Sequence, residues 1–435
     1  RPLALGAAAF LGVQTLGAAP AAAKAAEAIA VASAGDTAWV LTSTALVLFM
    51  TIPGLSLFYA GLVRRKNMLS VLMQCFLLTC VMTVLWTVCG YSLSFSTQGP
   101  GSLAPFIGGL DKAFLSGVSD AALVDTIPEA LWFVFQMTFA IITPALMVGS
   151  LVERVKLNAA MIFMAIWEVV VYFPICHMVW AGAGAYFADM GVLDFAGGIV
   201  VHVTAGVSAL VAAMMLGPRK ENSMVAHNLP LTVMGTGMLW VGWYGFNAGS
   251  AAAAGGGAAM AMVVTQISAA MGALVWCLQD YLETKRTSVI GIVTGSIAGL
   301  AAITPASGYV GVPGALAIGT ISGVVCRVFS TSIKEFFGYD DSLDVFGVHG
   351  VGGFLGTILV GIFCSSVFGG NQGAVDIATQ VGVQTFAAVS TAIYSGLATW
   401  VILKAVDATV GLRVPASAEE TGCDEYSFGE QAYVD

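Results

Sequence analysis

The hydrophobic positions of this chain fall in long runs that are separated by short polar and charged segments. Each run is about as long as an α-helix that crosses the hydrocarbon core of a bilayer, roughly 20 residues. The strands of a membrane β-barrel would instead alternate in short segments. The runs therefore predict an all-α polytopic membrane protein with eleven transmembrane helices, at about residues 39–63, 68–95, 129–151, 158–179, 196–216, 229–250, 258–281, 288–305, 312–334, 345–364 and 379–404.

Composition supports this class and excludes others. Of the 435 residues, 58% are hydrophobic and 9% are charged, and the mean hydropathy is +0.89. A soluble domain has about 25% charged residues, so this chain could not cover a soluble surface. A nucleic-acid binder would need clustered Lys and Arg, whereas the net charge here is -9. The 8 Cys contain no C-x-x-C pair and predict neither a disulfide framework nor a zinc site.

The first residues have the pattern of a secretory signal peptide. Arg1 precedes an apolar run at 3–16, and small residues follow at 18–23. We expect residues 1–35 to be a signal peptide and a short extracellular lead, followed by a membrane domain at 36–406 and a cytoplasmic regulatory tail at 407–435. The alternative for the first residues is an additional short helix.

The distribution of positive charge predicts the orientation. With the N-terminus outside and the C-terminus inside, thirteen of the 16 Lys and Arg residues lie in inner loops or at inner helix ends, as the positive-inside rule requires. They are Arg64, Arg65, Lys66, Arg154, Lys156, Arg219, Lys220, Lys285, Arg286, Arg327, Lys334, Lys404 and Arg413.

Weak internal similarity suggests two inverted five-helix repeats plus one extra helix. Residues 58–61, Phe-Tyr-Ala-Gly, resemble residues 246–249, Phe-Asn-Ala-Gly. Asp194 precedes His202 on the fifth span, and Asp344 precedes His349 on the tenth. Inverted repeats commonly enclose a substrate path at their interface.

Two histidines are the main candidates for chemistry inside the membrane. His202 and His349 each lie within a Gly-rich span, and ionisable residues at that depth are expensive and usually functional. A narrow lumen lined by both is one interpretation. A pair of ordinary buried core histidines is a second, and axial ligation of a b-type haem is a third. His177 and His227 are predicted to be structural.

Two carboxylates accompany them. Asp194 opens the fifth span, where it can cap the helix through backbone N–H groups or attract a cation directly. Glu168 lies in the middle of the fourth span, where a carboxyl group needs a partner or a proton. We assign Glu168 no role from the sequence.

Aromatic residues are dense around the predicted outer ends of the third, fourth and sixth spans. Most would form an interfacial belt or ordinary packing. A subset near Ser250 could form a cation–π cage for an ammonium-type cation. The set comprises Trp132, Phe133, Phe135, Phe139, Trp180, Trp243, Tyr244 and Phe246.

Several of these stretches together resemble the Amt/Mep/Rh ammonium transporter family, on its bacterial-type Amt side. The resemblance runs from about residue 37 to 415. It is carried by residues 44–54 with 58–64, His177-Met178-Val179-Trp180, Asp194-Phe195-Ala196-Gly197-Gly198, residues 242–250 (Gly-Trp-Tyr-Gly-Phe-Asn-Ala-Gly-Ser) and residues 344–350 (Asp-Val-Phe-Gly-Val-His-Gly).

The resemblance implies a transporter rather than an enzyme, without a cofactor or metal. Trp180, Ser250 and Phe139 match an outer site that recruits NH4+, with Asp194 stabilising it. Phe139 and Phe246 match the gate, and His202 and His349 match the histidines that line a hydrophobic pore for NH3 and relay the proton. The family forms homotrimers in the membrane. Here we expect a bacterial inner membrane, with a eukaryotic plasma membrane as the alternative.

One departure from the family pattern and one alternative function remain. The family's tail often has a His before Gly-Glu-x-Ala-Tyr, where this chain has Phe428. Because that tail commonly contacts a P-II-type regulatory protein, such regulation is an open expectation. A receptor-like sensor that binds ammonium with little transport is the alternative function.

Overall fold

The computed structural model describes residues 31–221 and 226–433. The predicted signal peptide lies almost entirely outside the described residues. From Ala32 onward the chain forms one compact unit of helices. A two-stranded hairpin, Leu123–Val124 with Ile127–Pro128, is the sheet found in this part of the chain.

Every predicted span corresponds to a helix. We number these helices α1 to α11: Ala34–Leu62, Arg65–Phe95, Glu129–Leu151, Leu157–Trp180, Gly198–Leu216, Leu229–Gly249, Gly256–Thr284, Val289–Ile303, Val312–Phe337, Phe346–Phe363 and Ile377–Val410. Among the described residues, nine are long and apolar enough to cross a membrane. The other two are α6, which has 21 residues, and the shorter apolar helix α8. Eleven crossings and the N-out orientation stay predictions.

Shorter elements complete the described chain. They lie in the connections between the long helices and in the tail: Gly101–Leu103, Ala113–Leu115, Tyr186–Asp189, Ser366–Phe368, Ala416–Thr421 and Cys423–Phe428.

Several long helices contain a π-helical turn, and three of these turns carry a histidine or a carboxylic acid. Gly198–Val203 contains His202, Phe346–Gly350 contains His349, and Glu168–Tyr172 begins at Glu168. Single π-turns within helices are uncommon and are frequent at functional sites. The three intramembrane candidates of the sequence therefore share an unusual backbone setting.

Small residues allow the two histidine helices to touch. A methyl group added at Gly206 of α5 would lie 2.2 Å from the Cα of Gly350 on α10. A methyl group at Gly353 would lie 2.5 Å from the Cβ of His202. Close helix approach through small residues is the usual way in which membrane helices pack. These glycines bring both imidazoles to one place.

The tail packs against the predicted inner ends of the helices. The backbone of Val414 donates to Arg154 O at 2.9 Å, and Arg413 pairs with Glu419 at 2.6 Å. The Asp424 carboxylate accepts from Leu69 N at 2.9 Å and Ser70 N at 2.7 Å, at the start of α2. The tail is thus an ordered part of this face.

Candidate functional site

Asp194 caps the start of α5 with its whole carboxylate. Oδ1 accepts from two backbone N–H groups at 2.9 and 2.6 Å, and Oδ2 from two more at 2.8 and 3.2 Å. The donors are Gly197, Gly198, Ile199 and Val200. An ionised carboxylate has about four lone-pair sites that can accept hydrogen bonds, and these four N–H groups occupy them. Of the two roles considered for Asp194, the geometry supports the cap and leaves no oxygen for direct contact with a cation.

Trp180 is tied to this cap. Its indole Nε1 donates to the backbone oxygen of Asp194 at 2.8 Å, and its ring meets Phe139 edge-on with centroids 5.8 Å apart. Ser250, at the end of α6, donates its hydroxyl proton to Phe246 O at 2.8 Å. The Ser250 oxygen can therefore only accept from a ligand. Following the predicted orientation, we call Trp180, Phe139, Ser250 and Asp194 the outer mouth.

Two phenyl rings close the passage next to the outer mouth. Phe139 of α3 and Phe246 of α6 are stacked, with centroids 4.2 Å apart and an interplanar angle of 24°. Both side chains are buried. Stacked rings at this separation leave no space between them for an ion, so a permeant must displace at least one ring.

The two predicted histidines are in contact on the other side of this ring pair. His202 Nδ1 and His349 Nδ1 are 3.3 Å apart, and the rings are stacked with centroids 5.2 Å apart. One of these nitrogens must donate to the other, which fixes one tautomer of each ring. Stacked rings whose centroids are 5.2 Å apart leave no room for a haem plane between them, so this pair cannot supply the two axial ligands of one haem.

A narrow cavity of about 10 Å³ adjoins the histidines. That is about the space one water molecule requires. Apart from the two imidazoles its lining is apolar or aromatic: Met50, Leu55, Phe58, Ile142, Leu146, Val201, Leu239, Trp243, Phe246 and Ile297. The site can hold one small neutral molecule beside two hydrogen-bonding rings, and it offers little to a hydrated cation.

Trp243 was placed with the outer aromatic residues in the sequence, and its position corrects that. It is buried, it stacks on His202 with centroids 5.6 Å apart, and its Nε1 donates to Thr304 Oγ1 at 2.9 Å. Leu239, Trp243, Phe246 and Ser250 follow one another at three- or four-residue spacing on α6. That periodicity is a sequence signal that places all four on one face of the helix.

The hydrogen bonds also correct the register of the internal repeat. Asp341, not Asp344, is the counterpart of Asp194. Asp194 accepts from the amide five residues later, and Asp341 does the same from Phe346 N at 2.7 Å. Each lies eight residues before its histidine. Asp344 instead pairs with Lys334 at 2.7 Å.

Gln384 of α11 is a residue that sequence reasoning missed. Its side chain binds both backbone polar groups of Leu193, accepting from N at 2.8 Å and donating to O at 2.7 Å. It also donates to Thr357 O on α10 at 3.0 Å. Since Leu193 precedes Asp194, Gln384 holds the backbone on which the outer mouth is built. No local motif signals such a contact.

His177 and His227 have the structural surroundings that were expected. The ring nitrogens of His177 lie 3.1 and 2.8 Å from Ser94 O and Ala104 O. His227 contacts Val63 O at 2.8 Å and the Tyr433 hydroxyl at 3.3 Å, on the face where the tail packs. Neither lines the cavity beside His202 and His349.

Comparisons with known proteins agree on one family. Residues 38–433 match the model of the Ammonium Transporter Family. The ammonium transporter of Aquifex aeolicus is 43% identical over 402 residues, 92% of this chain and 93% of that protein. Ammonium transporter Amt1 of Archaeoglobus fulgidus is also 43% identical, over 92% of this chain and its full length.

Comparison with solved structures indicates the same family as comparison with known sequences. The crystal structure of Saccharomyces cerevisiae Mep2 superimposes with a TM-score of 0.81 at 34% identity, over 89% of this chain and 88% of that chain. A structure described as a sensor Amt protein superimposes with a TM-score of 0.83 at 26% identity, over 91% of this chain and 98% of that one.

Proposed function

The chain belongs to the ammonium transporter family, and from that premise we propose that it recruits NH4+ at the outer mouth, removes one proton and passes NH3 through the cavity beside His202 and His349. The observation that carries this proposal is the order of the parts. A ring-lined mouth with an acceptor oxygen at Ser250 adjoins a closed phenyl pair, and an apolar cavity with two contacting imidazoles follows.

Recruitment rests on the groups that can face a cation at the mouth. The rings of Trp180 and Phe139 meet edge-on, and Trp180, which is only partly buried, offers ring surface to an ammonium ion. The Ser250 hydroxyl donates its hydrogen bond to Phe246 O, so its oxygen can only accept a hydrogen bond from an N–H group of the ion. Asp194 supports the site from behind by fixing the backbone to which Trp180 is bonded.

The energetics favour deprotonation before passage. Moving an ammonium-sized ion from water into an apolar interior costs of order 20 kcal/mol by the Born relation. Removing its proton costs only about 1.4 kcal/mol for each pH unit below the pKa of ammonium. An apolar constriction therefore passes NH3 far more readily than NH4+. K+ cannot lose its charge, so it is excluded without a filter that measures ionic size.

The imidazole pair supplies polar contacts inside the apolar cavity. One Nδ1 donates and the other accepts, and His202 Nε2 has no hydrogen-bond partner among the residues described. A neutral NH3 molecule can both accept from and donate to such rings. We further propose that the pair relays the separated proton, so that net transport is electrogenic.

Assembly and regulation are part of the same proposal. We propose a homotrimer in the bacterial inner membrane with one pathway in each subunit, and regulation through the tail by a P-II-type protein. The ordered tail, packed at the starts of α2 and α4, supports a regulatory surface there. Phe428 stands where the family pattern has His, so its replacement by His is the variant to compare in binding assays.

The test is an ammonium pulse applied to proteoliposomes on a solid-supported membrane. We expect a transient current with NH4+ and none with K+ at the same concentration. The sensor-like structural match motivates the competing function. A sensor would bind ammonium, shown by calorimetry or a thermal shift, and give no sustained uptake of labelled methylammonium.

A further inference from the structure

Glu168 is a buried acid to which the proposed pathway gives no role. It lies in the middle of α4, it is 0% exposed, and it begins the π-helical turn Glu168–Tyr172. Neither carboxyl oxygen has a hydrogen-bond partner within residues 31–221 and 226–433, and no ion pair reaches it there. An acid in this setting calls for an explanation, because Gln or Leu would fill the same space at lower cost.

An unpartnered carboxylate at membrane depth is too costly to persist as an ion, so Glu168 is held as the neutral acid. The neighbouring residues Val169, Val170 and Val171 offer it no polar side chain. A carboxyl group in this state stores one proton and can exchange it only with a polar group that reaches it. Proton exchange at Glu168 therefore requires a route of polar groups from its carboxyl group to water.

Side chains along one face of α4 form such a route. Glu168, Tyr172, Cys176 and Trp180 follow at four-residue spacing and so lie along the same side of the helix. The first three are buried, and the Tyr172 hydroxyl has no hydrogen-bond partner among the described residues. Trp180, the last of the four, is part of the outer mouth.

The two ends of this face lie at two acids. Glu168 is at one end, and Trp180 at the other end donates to the backbone oxygen of Asp194. Tyr172 also lies beside Thr143 of α3, whose hydroxyl donates to Phe139 O at 2.7 Å. This face of α4 therefore runs from Glu168 to Trp180 at the outer mouth.

We propose that Glu168 is a second proton-binding site of the membrane domain, exchanging its proton with the outer mouth along the Tyr172 face of α4. This deepens the proposed function and rests on it. In one exchange the O–H bond of the neutral Glu168 carboxyl breaks and its proton passes along this face to the mouth. One N–H bond of NH4+ at the mouth then breaks and an O–H bond re-forms on the transient carboxylate, with water or the Tyr172 hydroxyl passing the proton in each direction. NH3 is left at the mouth and the carboxyl group is neutral again.

The first arm of the test does not depend on transport. Infrared difference spectra of the purified protein are recorded in H2O and D2O. We expect a protonated-carboxyl band that shifts in D2O and is absent from Glu168→Gln. A hydrophobic carbodiimide, which reacts with protonated carboxyl groups, is expected to label Glu168. Glu129 is the matched control, because its buried carboxylate is bonded by Tyr91 at 2.7 Å and paired with Lys112.

The second arm measures the ammonium current of Glu168→Gln, which keeps the shape and neutrality of the acid but cannot exchange a proton. We expect a several-fold smaller current with an unchanged melting temperature, and no further fall when carbodiimide is added. A wild-type current in Glu168→Gln, or a carboxyl band that does not shift in D2O, would overturn the proposal. A wild-type protein that gives no ammonium current but retains the exchangeable band would instead contradict the transport function.

Discussion

Asp194 and Asp341 each stand eight residues before a cavity histidine, one in each half of the chain, yet they hold their helices to different extents. Asp194 binds four backbone amides at the start of the helix that carries His202. Asp341 binds one amide at the start of the helix that carries His349, and its other oxygen accepts from the Ser150 hydroxyl. Both helices thus begin at an Asp cap, and the cap at the predicted outer end accepts from more backbone amides.

The two caps also differ in the contacts that surround them. At the outer end the cap also fixes Trp180, whose indole is bonded to the Asp194 backbone. At the predicted inner end the structure instead has ion pairs: Arg219 with Asp340 at 2.9 Å and Arg64 with Glu153 at 3.0 Å. The more extensive cap thus lies at the end where we propose that ammonium is recruited.

The largest effect is expected for Asp194→Ala. Loss of a single cap usually costs roughly 0.5–2 kcal/mol, and this variant leaves four amides without their acceptor. The Trp180 indole keeps its backbone acceptor in this variant, but that backbone is no longer fixed by the cap. We expect the ammonium current to be abolished and the melting temperature to fall. Asp189→Ala is the matched control, because Asp189 is an exposed acid on the same side that accepts one amide. Equal loss in both variants would show that negative charge, not the cap, is what matters.

Asp341→Ala is expected to have an intermediate effect, because one amide and one hydroxyl lose their acceptor. The current should fall several-fold, and binding of ammonium at the outer mouth should stay as in the wild type. Asp344→Ala removes a neighbouring acid of the same charge that pairs with Lys334 instead. If Asp344→Ala were the more damaging of the two, the corrected register of the repeat would be wrong.

Whether a contact of this structure can be predicted from the sequence depends on how far apart its residues lie along the chain. The apolar runs predict all the long helices, because a bilayer fixes both length and composition. The paired histidines follow from local motifs. The counterpart of Asp194 in the other half of the chain does not follow from local motifs. Similarity of short stretches indicates Asp344, whereas the hydrogen bonds of the structure identify Asp341. Gln384 lies 191 residues from Leu193, and a contact of that range leaves no pattern in a single sequence.

A smaller effect is expected for Gln384→Leu. The outer mouth should loosen without losing its cap, so the ammonium concentration at half-maximal current should rise several-fold while the maximal current changes little. Gln384→Glu offers a conservative rescue, because only its acid form can both accept from Leu193 N and donate to Leu193 O. Its half-saturation should therefore approach the wild-type value as pH is lowered. A fall in maximal current alone, without change in half-saturation, would argue against a positioning role.

The smallest effect concerns the pH dependence of the inner end. Burial opposes ionisation of Asp340, but its hydrogen bonds to Arg219 and the charge of Arg154 lower its pKa to about 2. A carboxyl group with a lowered pKa stabilises the fold above its unfolded-state value and loses that contribution as pH falls towards its folded-state pKa. We expect the melting temperature to drop between about pH 4 and about pH 2.

Asp340→Asn should remove that part of the pH dependence and lower the melting temperature at neutral pH. Asp120→Asn, at an exposed position of an outer loop, is the control and should leave the curve unchanged. Identical acid curves for the wild type and Asp340→Asn would show that the inner ion pairs do not differ from the rest of the surface in stabilising the fold.

The central claim is that NH4+ loses its proton before it passes the contacting histidines. The most direct measurement compares ammonium and K+ currents of the wild type with those of variants in which both His202 and His349 are replaced. We expect the wild type to carry ammonium current only, a double apolar variant to melt like the wild type and carry almost none, and a double acidic variant to admit K+. A double apolar variant that melts like the wild type and still carries the wild-type ammonium current would contradict the account.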